Sequence, residues 1–513
     1  MSVLLNTEPK KVFEYFERLC SVPHGSGNTK IISDLLVSCA QELGLSYIQD
    51  ELNNVIIFKP ASAGMEGHEP VILQGHMDMV CTKEDWVDKD MVRDGLDLVL
   101  EGEWLKARGT SLGADDGIAV AIALAILSDD SLRHPPIEAV FTVDEEVGMD
   151  GAFGIDLSML KGRRMLNIDS EKEGEFTASC AGGVRADCIV PGEKTPVTDE
   201  ERLIEVSVTG LIGGHSGCEI HTGRANANKL MARLLYAAAG EFDGLRLVSF
   251  NGGRFDNVIC PECTAVVAVP RKSACHLAKL INDYDEIYKS EYAAADPGVK
   301  VAYKKVSNTC CGAGSIDSAG VSAAKNTGTG RSTSCQSGAE YAFTSADTLN
   351  ILRTMFVLPQ GVQEMSMDIK GLTQTSLNMG VAGAEDDGMH FSYSIRSCIT
   401  SQKLMVLDIV RSVVESSGGS VTTRGMYPGW AFNRHSEFRD RLAAVYERLF
   451  NEQPVISATH GGLECGLFMD KIKGLDCVSI GPDMYDIHSC AERVSVLSVE
   501  RLYRLILEFL RGC

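Results

Sequence analysis

The sequence predicts an α/β protein: a layered α/β domain with a mostly parallel central sheet, plus an inserted α+β domain. Its 513 residues exceed the roughly 250–300 residues at which a single core stops growing, so two domains are expected. Short apolar strands alternate with helical patterns at the start of the chain, and this texture returns around residue 400. We therefore predict a first domain from residues 1–184 and 401–513, and an inserted domain from 185–400.

The elements of the first part follow from their periodicity. Residues 9–44 repeat apolar positions at helical spacing, and GADDGIAVAIALAILSDD predicts a buried helix with acids in its first turn, where the helix dipole favours them. Four apolar runs predict buried strands at Asn53–Phe58, Val71–Gln74, Ile137–Val143 and Arg164–Ile168. In α/β layers of this kind, functional side chains gather at strand ends.

The middle part predicts the α+β domain. LIEVSVTG and TAVVAVP alternate apolar and polar residues, which is typical of half-buried strands, whereas NANKLMARLLYAAAG and CHLAKLINDYDEIYKSEY have helical spacing. Residues 310–341 are rich in Gly, Ser, Thr and Ala and poor in large apolar residues, so we expect a mobile surface loop insertion there. SVLSVERLYRLILEFL predicts a helix at the end of the chain.

Charge and cysteine content exclude several classes of protein. A net charge of -22 argues against a nucleic-acid partner and against an anionic membrane surface. No apolar run is long enough for a membrane span, and the N-terminal residues do not resemble a signal peptide. Seventeen cysteines, an odd number, cannot all pair within the chain. Reduced thiols in a cytoplasmic protein are the expectation.

The motif LQGHMDMV contains the first candidate site residues. His76 and Asp78 are two residues apart at the end of an apolar strand, so their side chains point to the same face. A carboxylate in this place can orient an imidazole that binds a metal through its other nitrogen. An ordinary His–Asp pair in a polar cleft would explain the motif equally well.

Further motifs contain acids or a histidine at the edges of apolar elements. They are GADD with Asp115 and Asp116, TVDEEVG with Glu145 and Glu146, NIDSE with Asp169, and SATHGGLECGLF with His460. Helix capping would explain the aspartates of GADD, and a solvated turn would explain the run of acids. Five of these residues are candidate ligands, two His, two Asp and one Glu, and they make a nitrogen and oxygen set that suits zinc or another first-row divalent ion.

Seven motifs in order resemble the bacterial aminoacyl-histidine dipeptidases, the carnosinase-type peptidase D branch of the co-catalytic dinuclear zinc peptidases. They are LQGHMDMV, GTSLGADDGIAVAIALA, FTVDEEVGMDGAFG, NIDSE, GGHSGCEIHTGRANANKL, MSMDIKGL and HGGLECGLF. The resemblance covers nearly the whole chain except residues 310–341. It implies a layered catalytic domain with an inserted lid domain, two Zn²⁺ ions with Co²⁺ or Mn²⁺ as substitutes, and hydrolysis of unblocked dipeptides, including those with C-terminal histidine.

The resemblance also implies the role of each metal-site residue. These roles are ligands of one zinc ion for His76 and Asp169, ligands of the other for Glu146 and His460, and a bridging carboxylate for Asp115. Glu145 resembles the general base that acts with a metal-bridging hydroxide, and Asp78 resembles the residue that orients His76. Asp116 is expected to cap its helix.

Charge arithmetic agrees with this allocation. Two divalent ions carry four positive charges, and Asp115, Glu146 and Asp169 carry three negative charges, so one hydroxide makes the cluster neutral. Glu145 is then best left off the metals, where it can accept the proton from water and later donate it to the leaving amine.

Three residues of the inserted domain resemble substrate-binding positions of the family. The resemblance implies that His215, in GGHSG, helps to polarise the scissile carbonyl, and that Asn257 and Arg396 hold the free carboxylate of a dipeptide. A guanidinium group suits a carboxylate, although a surface ion pair would also explain Arg396. The family further implies a homodimer formed through the inserted domain.

Three alternative functions remain compatible with the sequence. A tripeptide aminopeptidase and an acyl-amino-acid hydrolase would use the same chemistry on other substrates. A catalytically silent binding protein could keep the same fold. The presence of every predicted ligand and of the predicted base disfavours this last alternative.

Overall fold

The computed structural model describes residues 3–4, 7–306 and 340–513. In these residues the α-helices are α1 (Lys10–Cys20), α2 (Lys30–Glu42), α3 (Ala114–Leu127), α4 (Glu145–Gly148), α5 (Asp150–Gly154), α6 (Ala227–Glu241), α7 (Ala274–Glu291), α8 (Ser345–Val357), α9 (Thr400–Ser416), α10 (Glu437–Phe450), α11 (Cys465–Lys471) and α12 (Val496–Arg511).

The strands up to the gap are β1 (Ser46–Gln49), β2 (Val55–Lys59), β3 (Val71–His76), β4 (Leu98–Glu101), β5 (Trp104–Ala107), β6 (Ile137–Thr142), β7 (Arg164–Asn167), β8 (Glu175–Cys180), β9 (Gly182–Pro191), β10 (Lys194–Pro196), β11 (Glu201–Thr209), β12 (Arg246–Gly252), β13 (Cys263–Pro270) and β14 (Lys300–Val306). After the gap they are β15 (Tyr341–Phe343), β16 (Gly361–Met365), β17 (Thr373–Ala384), β18 (Gly388–Ser397), β19 (Ser420–Tyr427), β20 (Val455–Thr459), β21 (Asp476–Ser479), β22 (Met484–Tyr485) and β23 (Arg493–Ser495).

The first domain is built on an eight-stranded sheet with the order β1-β2-β6-β3-β7-β21-β8-β20. β3 pairs in parallel with β6 and β7, β21 pairs in parallel with β7, and β20 pairs in parallel with β8. The β1–β2, β2–β6 and β21–β8 pairs are antiparallel. The predicted α/β class with a mostly parallel sheet is confirmed.

Strand β3 shows why the centre of this sheet is apolar on both faces. Val71 and Leu73 belong to the core shared with α1, α3 and α12, whereas Ile72 belongs to the opposite core, which contains α11. A strand covered on both faces has a continuous apolar sequence rather than an alternating one. Helix α3 is buried along its whole length between β3, α1 and α12, which explains its apolar sequence on all sides.

The inserted domain contains a second, antiparallel sheet with the order β14-β11-β13-β12-β17-β18-β9-β19, and β16 pairs with β17. Helices α6, α7, α8 and α9 cover it and share one hydrophobic core with it. This arrangement is the predicted α+β lid domain. A small sheet with the order β22-β23-β5-β4 belongs to the first domain and includes strands from both ends of the chain.

The structure differs from the predicted return to the first domain at residue 401. Val406 and Val410 of α9 lie in the core of the inserted domain, and β19 pairs with β9 at the edge of its sheet. The chain therefore returns to the first domain only after Tyr427. The sequence signal was ambiguous because α9 has the same amphipathic spacing as helices of the first domain.

Most of the predicted insertion at 310–341 lies outside the described residues. Its last residue, Tyr341, begins β15 and pairs with Pro196 of β10, so the predicted loop extends too far at its C-terminal end. None of the helices in the described part of the chain is long and apolar enough to cross a membrane.

Candidate metal centre

Three neighbouring strands end at the same edge of the central sheet, and a candidate ligand lies at or shortly after the end of each strand. His76 is the last residue of β3, Glu146 lies in α4 shortly after β6, and Asp169 is two residues beyond β7. Because β3 is parallel to both β6 and β7, their carboxyl ends lie side by side. The fold thus brings together motifs that are far apart in sequence.

The start of α3 reaches this edge by a close approach to β3. Asp115 and Asp116 have non-helical backbone torsions and are joined by a cis peptide bond. A β-carbon at Gly75 would lie only 2.5 Å from Oδ2 of Asp116 and 2.6 Å from Cβ of Ala119, so glycine is required here. Oδ2 of Asp116 accepts the backbone N–H of His76 at 3.2 Å. Asp116 therefore holds the end of β3 and does not cap its helix as predicted.

His76 is held from both sides of its buried ring. Its Nδ1 lies 3.0 Å from the carbonyl oxygen of Asp78, and we assign the ring proton to this contact. Its Nε2 then faces Oδ1 of Asp115 at 3.2 Å and Oδ1 of Asp169 at 3.6 Å. A nitrogen lone pair and two carboxylates repel one another unless a cation lies between them, so this contact fits a metal ion or a proton.

His488, which the sequence interpretation missed, lies on the other side of Asp115. Its Nε2 is 3.2 Å from Oδ2 of Asp115 and 2.9 Å from Oε2 of Glu146. Asp115 therefore presents one carboxylate oxygen to His76 and the other to His488, as a bridging ligand must.

His460 does not join this cluster. Its Nε2 is 2.7 Å from Oγ of Ser376, and no ion pair within 4.0 Å in the described residues includes it. Burial and the nearby charge of Arg396 lower the pKa of His460 to about 3, so its ring is neutral. We therefore replace His460 by His488 among the candidate ligands.

The sequence around His488 gave little indication of a metal ligand. His488 follows the two-residue strand β22 in an irregular segment, DMYDIHSCAE, with no apolar strand before it. The nearby acids Asp486 and Glu492 were the only cue in the sequence. His460 looked more convincing because it directly follows the apolar strand β20 and precedes two glycines.

The pKa values of four residues are shifted because ionisable groups lie buried and close together at this edge of the sheet. Burial raises the pKa of Asp169 to about 6 and raises that of Glu145 well above its usual range. Burial alone would lower the pKa of His76, but hydrogen bonds to Asp115, Asp169 and Asp78 outweigh it and raise this pKa well above its usual value. The hydrogen bonds of His488 to Asp115 and Glu146 raise its pKa to about 10. The carboxylates thus stabilise positive charge at both imidazoles.

The donor set suits divalent cations at two overlapping positions. Two close groups of possible ligands share His76, one with Asp115 and Glu146 and one with Asp116 and Asp169. Oε1 of Glu146 is buried and has no hydrogen-bond partner in the described part of the chain, so it is free to bind a cation. Imidazole nitrogens combined with carboxylate oxygens suit Zn²⁺ and other first-row divalent ions.

Asp78 connects the metal centre to the predicted base. Its carboxylate oxygens accept the backbone N–H of Glu145 at 3.1 Å and the hydroxyl of Ser26 at 2.8 Å. Its Oδ1 lies 3.5 Å from Nδ1 of His76. Nδ1 of His76 thus lies closer to the carbonyl oxygen of Asp78 than to its carboxylate, and the carboxylate fixes the backbone that carries Glu145.

A cleft of about 470 Å³ joins this centre to the inserted domain. Glu146 lines it from the first domain, and Arg396 and Tyr427 line it from the inserted domain. Nη1 of Arg396 donates to the hydroxyl of Tyr427 at 3.3 Å, while its Nε is buried without a partner in the described residues. The guanidinium group of Arg396 therefore has donors available for an anion in the cleft.

His215 and Asn257 lie on adjoining loops of the inserted domain. The carbonyl oxygen of Asn257 accepts the backbone N–H of Ser216 at 2.8 Å, and Nδ1 of His215 accepts that of Cys218 at 3.1 Å. Burial, followed by the charge of Arg396, lowers the pKa of His215 and so favours its neutral form. Within the described residues, no hydrogen bond or ion pair links either residue to the metal-ligand cluster.

Comparisons with known proteins give a consistent result. The profile of "Peptidase family M20/M25/M40" matches residues 72–512. The chain is 37% identical over 511 residues to the cytosol non-specific dipeptidase of Escherichia coli (strain K12), covering 100% of this chain and 99% of that protein. The crystal structure of aminoacylhistidine dipeptidase from Vibrio alginolyticus superposes with a TM-score of 0.88 at 35% identity, covering 99% of this chain and 98% of the other. Aminopeptidase PepT from Bacillus cereus, at 14% identity and a TM-score of 0.55 over 98% of each chain, shares the fold.

Proposed function

Because the chain belongs to peptidase family M20/M25/M40 and is therefore a peptide hydrolase, we propose that it is a dinuclear metal dipeptidase acting on unblocked dipeptides. The observation that carries this proposal is the position of Asp115 between His76 and His488. Two groups of ligands share this carboxylate: His76, Asp115 and Asp169 for one ion, and Asp115, Glu146 and His488 for the other. Zinc is the proposed ion at both positions, with Co²⁺ or Mn²⁺ as substitutes.

The bound ions would act as Lewis acids that polarise the scissile carbonyl and lower the pKa of water toward about 7. The remaining chemistry belongs to the side chains. Glu145 takes the proton from the attacking water and passes it to the leaving amine. Its raised pKa suits a group that must act as a base and then as an acid near neutral pH. Asp78 holds the backbone of Glu145 and orients His76.

Substrate binding is assigned to the inserted domain. Arg396 lines the same cleft as Glu146, so a short peptide can reach both its guanidinium group and the ligands. We propose that Arg396, together with Asn257, binds the terminal carboxylate and that neutral His215 donates a hydrogen bond to the scissile carbonyl oxygen.

The two relatives compared above are named for non-specific and for aminoacyl-histidine dipeptide cleavage, so a substrate range that includes aminoacyl-histidine is proposed.

Replacing Arg396 with methionine should raise KM for a dipeptide about 10- to 100-fold, because hydrogen bonds between charged groups contribute about 1.5–3 kcal/mol. KM should stay unchanged for the same dipeptide with an amidated C-terminus. The matched control is Arg424→Met, which removes an exposed arginine bound to Asp187 and Asp256. Equal losses for the free acid and the amide in steady-state assays would contradict carboxylate binding by Arg396.

The function itself is tested with a substrate panel. Metal-reconstituted protein is assayed on dipeptides including β-alanyl-histidine, on tripeptides and on N-acyl amino acids, before and after removal of metal by a chelator. The proposal expects dipeptide hydrolysis that disappears with chelation and returns with zinc, cobalt or manganese. Preference for tripeptides or for N-acyl amino acids would favour the two enzymatic alternatives. Two bound metals without hydrolysis of any substrate would favour a binding protein.

A cytoplasmic location and a homodimer are also part of the proposal. The name of the Escherichia coli relative supports the first. Exposed apolar side chains on α9 of the inserted domain, such as Leu404, Met405 and Ile409, support a contact between copies there.

A further inference from the structure

Glu492 binds the backbone that carries the bridging carboxylate. This residue is four positions after His488 and is 3% exposed. Its Oε2 accepts the backbone N–H groups of Leu112 at 2.7 Å and Gly113 at 3.0 Å, and its Oε1 accepts those of Ala114 at 2.8 Å and Asp115 at 3.4 Å. One side chain thus gathers four consecutive amides from a segment about 380 residues away in sequence.

These amides need an acceptor. They lie at the N-terminus of α3, where no residue of the helix itself provides a side-chain cap. The first N–H groups of a helix have no partner within the helix, and leaving buried donors unpaired costs about 1–3 kcal/mol each. Hydrogen bonds to an ionised carboxylate are roughly twice as strong as neutral ones. Glu492 therefore helps to hold the start of α3 in place.

The loop that carries His488 needs an anchor as well. Asp486 and His488 both have backbone torsions in the left-handed region, with φ of 52° and 60°. This conformation costs a residue other than glycine about 1–2 kcal/mol, so the loop keeps its shape only where other contacts fix it. An ion pair between Arg493 and Asp486 is one such contact, and the hydrogen bonds of Glu492 to residues 112–115 are another.

We propose that Glu492 is a positioning residue that fixes the distance between His488 and Asp115, and so preforms the second metal position. This inference rests on the dinuclear site proposed above. The two ligands come from opposite ends of the chain, and Glu492 is the buried side chain that joins their segments by hydrogen bonds. A metal site requires its ligands within about 0.5 Å of the productive geometry. Loss of the hydrogen bonds of Glu492 should therefore weaken metal binding before it unfolds the protein.

The test is Glu492→Gln in the full-length protein, which keeps the size of the side chain but turns an amide N–H toward backbone N–H groups. Stepwise Co²⁺ affinities are measured on metal-free protein by visible absorption. The affinity for the second Co²⁺, at the position of Glu146 and His488, should fall about 10- to 100-fold, which is the typical effect of removing a hydrogen-bond partner of a metal ligand. The first step should change less, because only Asp115 among its three proposed ligands is held by Glu492.

Glu138→Gln is the matched control. Glu138 is also buried, at 5% exposure, and accepts the backbone N–H groups of Lys161 at 2.9 Å and Gly162 at 3.0 Å, but it contacts no ligand. The Glu138→Gln substitution should leave both Co²⁺ affinities unchanged even if it lowers the stability of the fold.

Each outcome has one meaning. Wild-type affinity for the second Co²⁺ in Glu492→Gln, or an equal loss in Glu138→Gln, overturns the role of Glu492 and leaves the dinuclear site intact. A wild-type protein that binds only one metal overturns the dinuclear site itself. If Glu492→Gln does not fold, Glu492→Asp keeps the charge but shortens the reach, and an unchanged second step in that variant is equally contradictory.

Discussion

Glutamine at position 145 should lower kcat about 10²- to 10⁴-fold while both metal ions stay bound, because that is the usual contribution of a general base. In the described structure, the carboxylate of Glu145 forms no hydrogen bond or ion pair with a proposed metal ligand. The backbone N–H of residue 145 stays bound to Asp78 whichever side chain the residue has. The geometry of the cluster should therefore survive the substitution. The measurement is steady-state dipeptide hydrolysis together with the metal content of the purified variant.

Asp144→Asn is the matched control for this experiment. Asp144 belongs to the same run of acids, but its Oδ1 accepts the backbone N–H of Gly27 at 2.6 Å, a bond that asparagine can also accept. We expect kcat within a few-fold of wild type. Full turnover in Glu145→Gln would exclude it as the base, and loss of metal in that variant would show that it is a ligand instead.

Alanine at position 488 should lower the metal affinity of one of the two positions more than about 100-fold. Even residues that only hydrogen-bond to a metal ligand contribute about 10- to 100-fold to the affinity. Dipeptide hydrolysis should fall with the loss of that ion and recover in part at high zinc concentration. His460→Ala is the informative comparison, because its ring contacts Ser376 and no carboxylate. It should retain two metals.

The reverse outcome would restore the prediction made from sequence. If His460→Ala loses one metal and His488→Ala retains both, the loop that carries His488 moves away when metal binds. Zinc content by atomic emission and affinity by competition with a chromophoric chelator distinguish the two results.

The layered domain was predictable because its strands are buried on both faces. Val71–His76 and Ile137–Thr142 are mainly continuous apolar runs, which stand out in the sequence without alternation, and parallel pairing then places their ends together. The positions of His76, Asp115, Glu146 and Asp169 followed from this rule and from the family resemblance. The structure brings these four side chains together, and their roles as ligands remain a prediction.

The remaining parts of the site depend on structure that has no periodic signal. His488 follows a two-residue strand, and its position is set by Glu492, whose partners are backbone amides of residues 112–115. Backbone donors are the same in every sequence, so no pattern of side chains could reveal this contact. The return to the first domain was misplaced for a related reason, since α9 packs on the inserted sheet through ordinary amphipathic spacing.

The most direct test of the proposed centre is anomalous diffraction at the zinc absorption edge from crystals of the zinc-loaded protein. Two anomalous peaks should appear, both within bonding distance of Asp115. One should also contact His76 and Asp169, and the other should contact Glu146 and His488. A single peak, or a second peak beside His460, would contradict a dinuclear site built from these five residues.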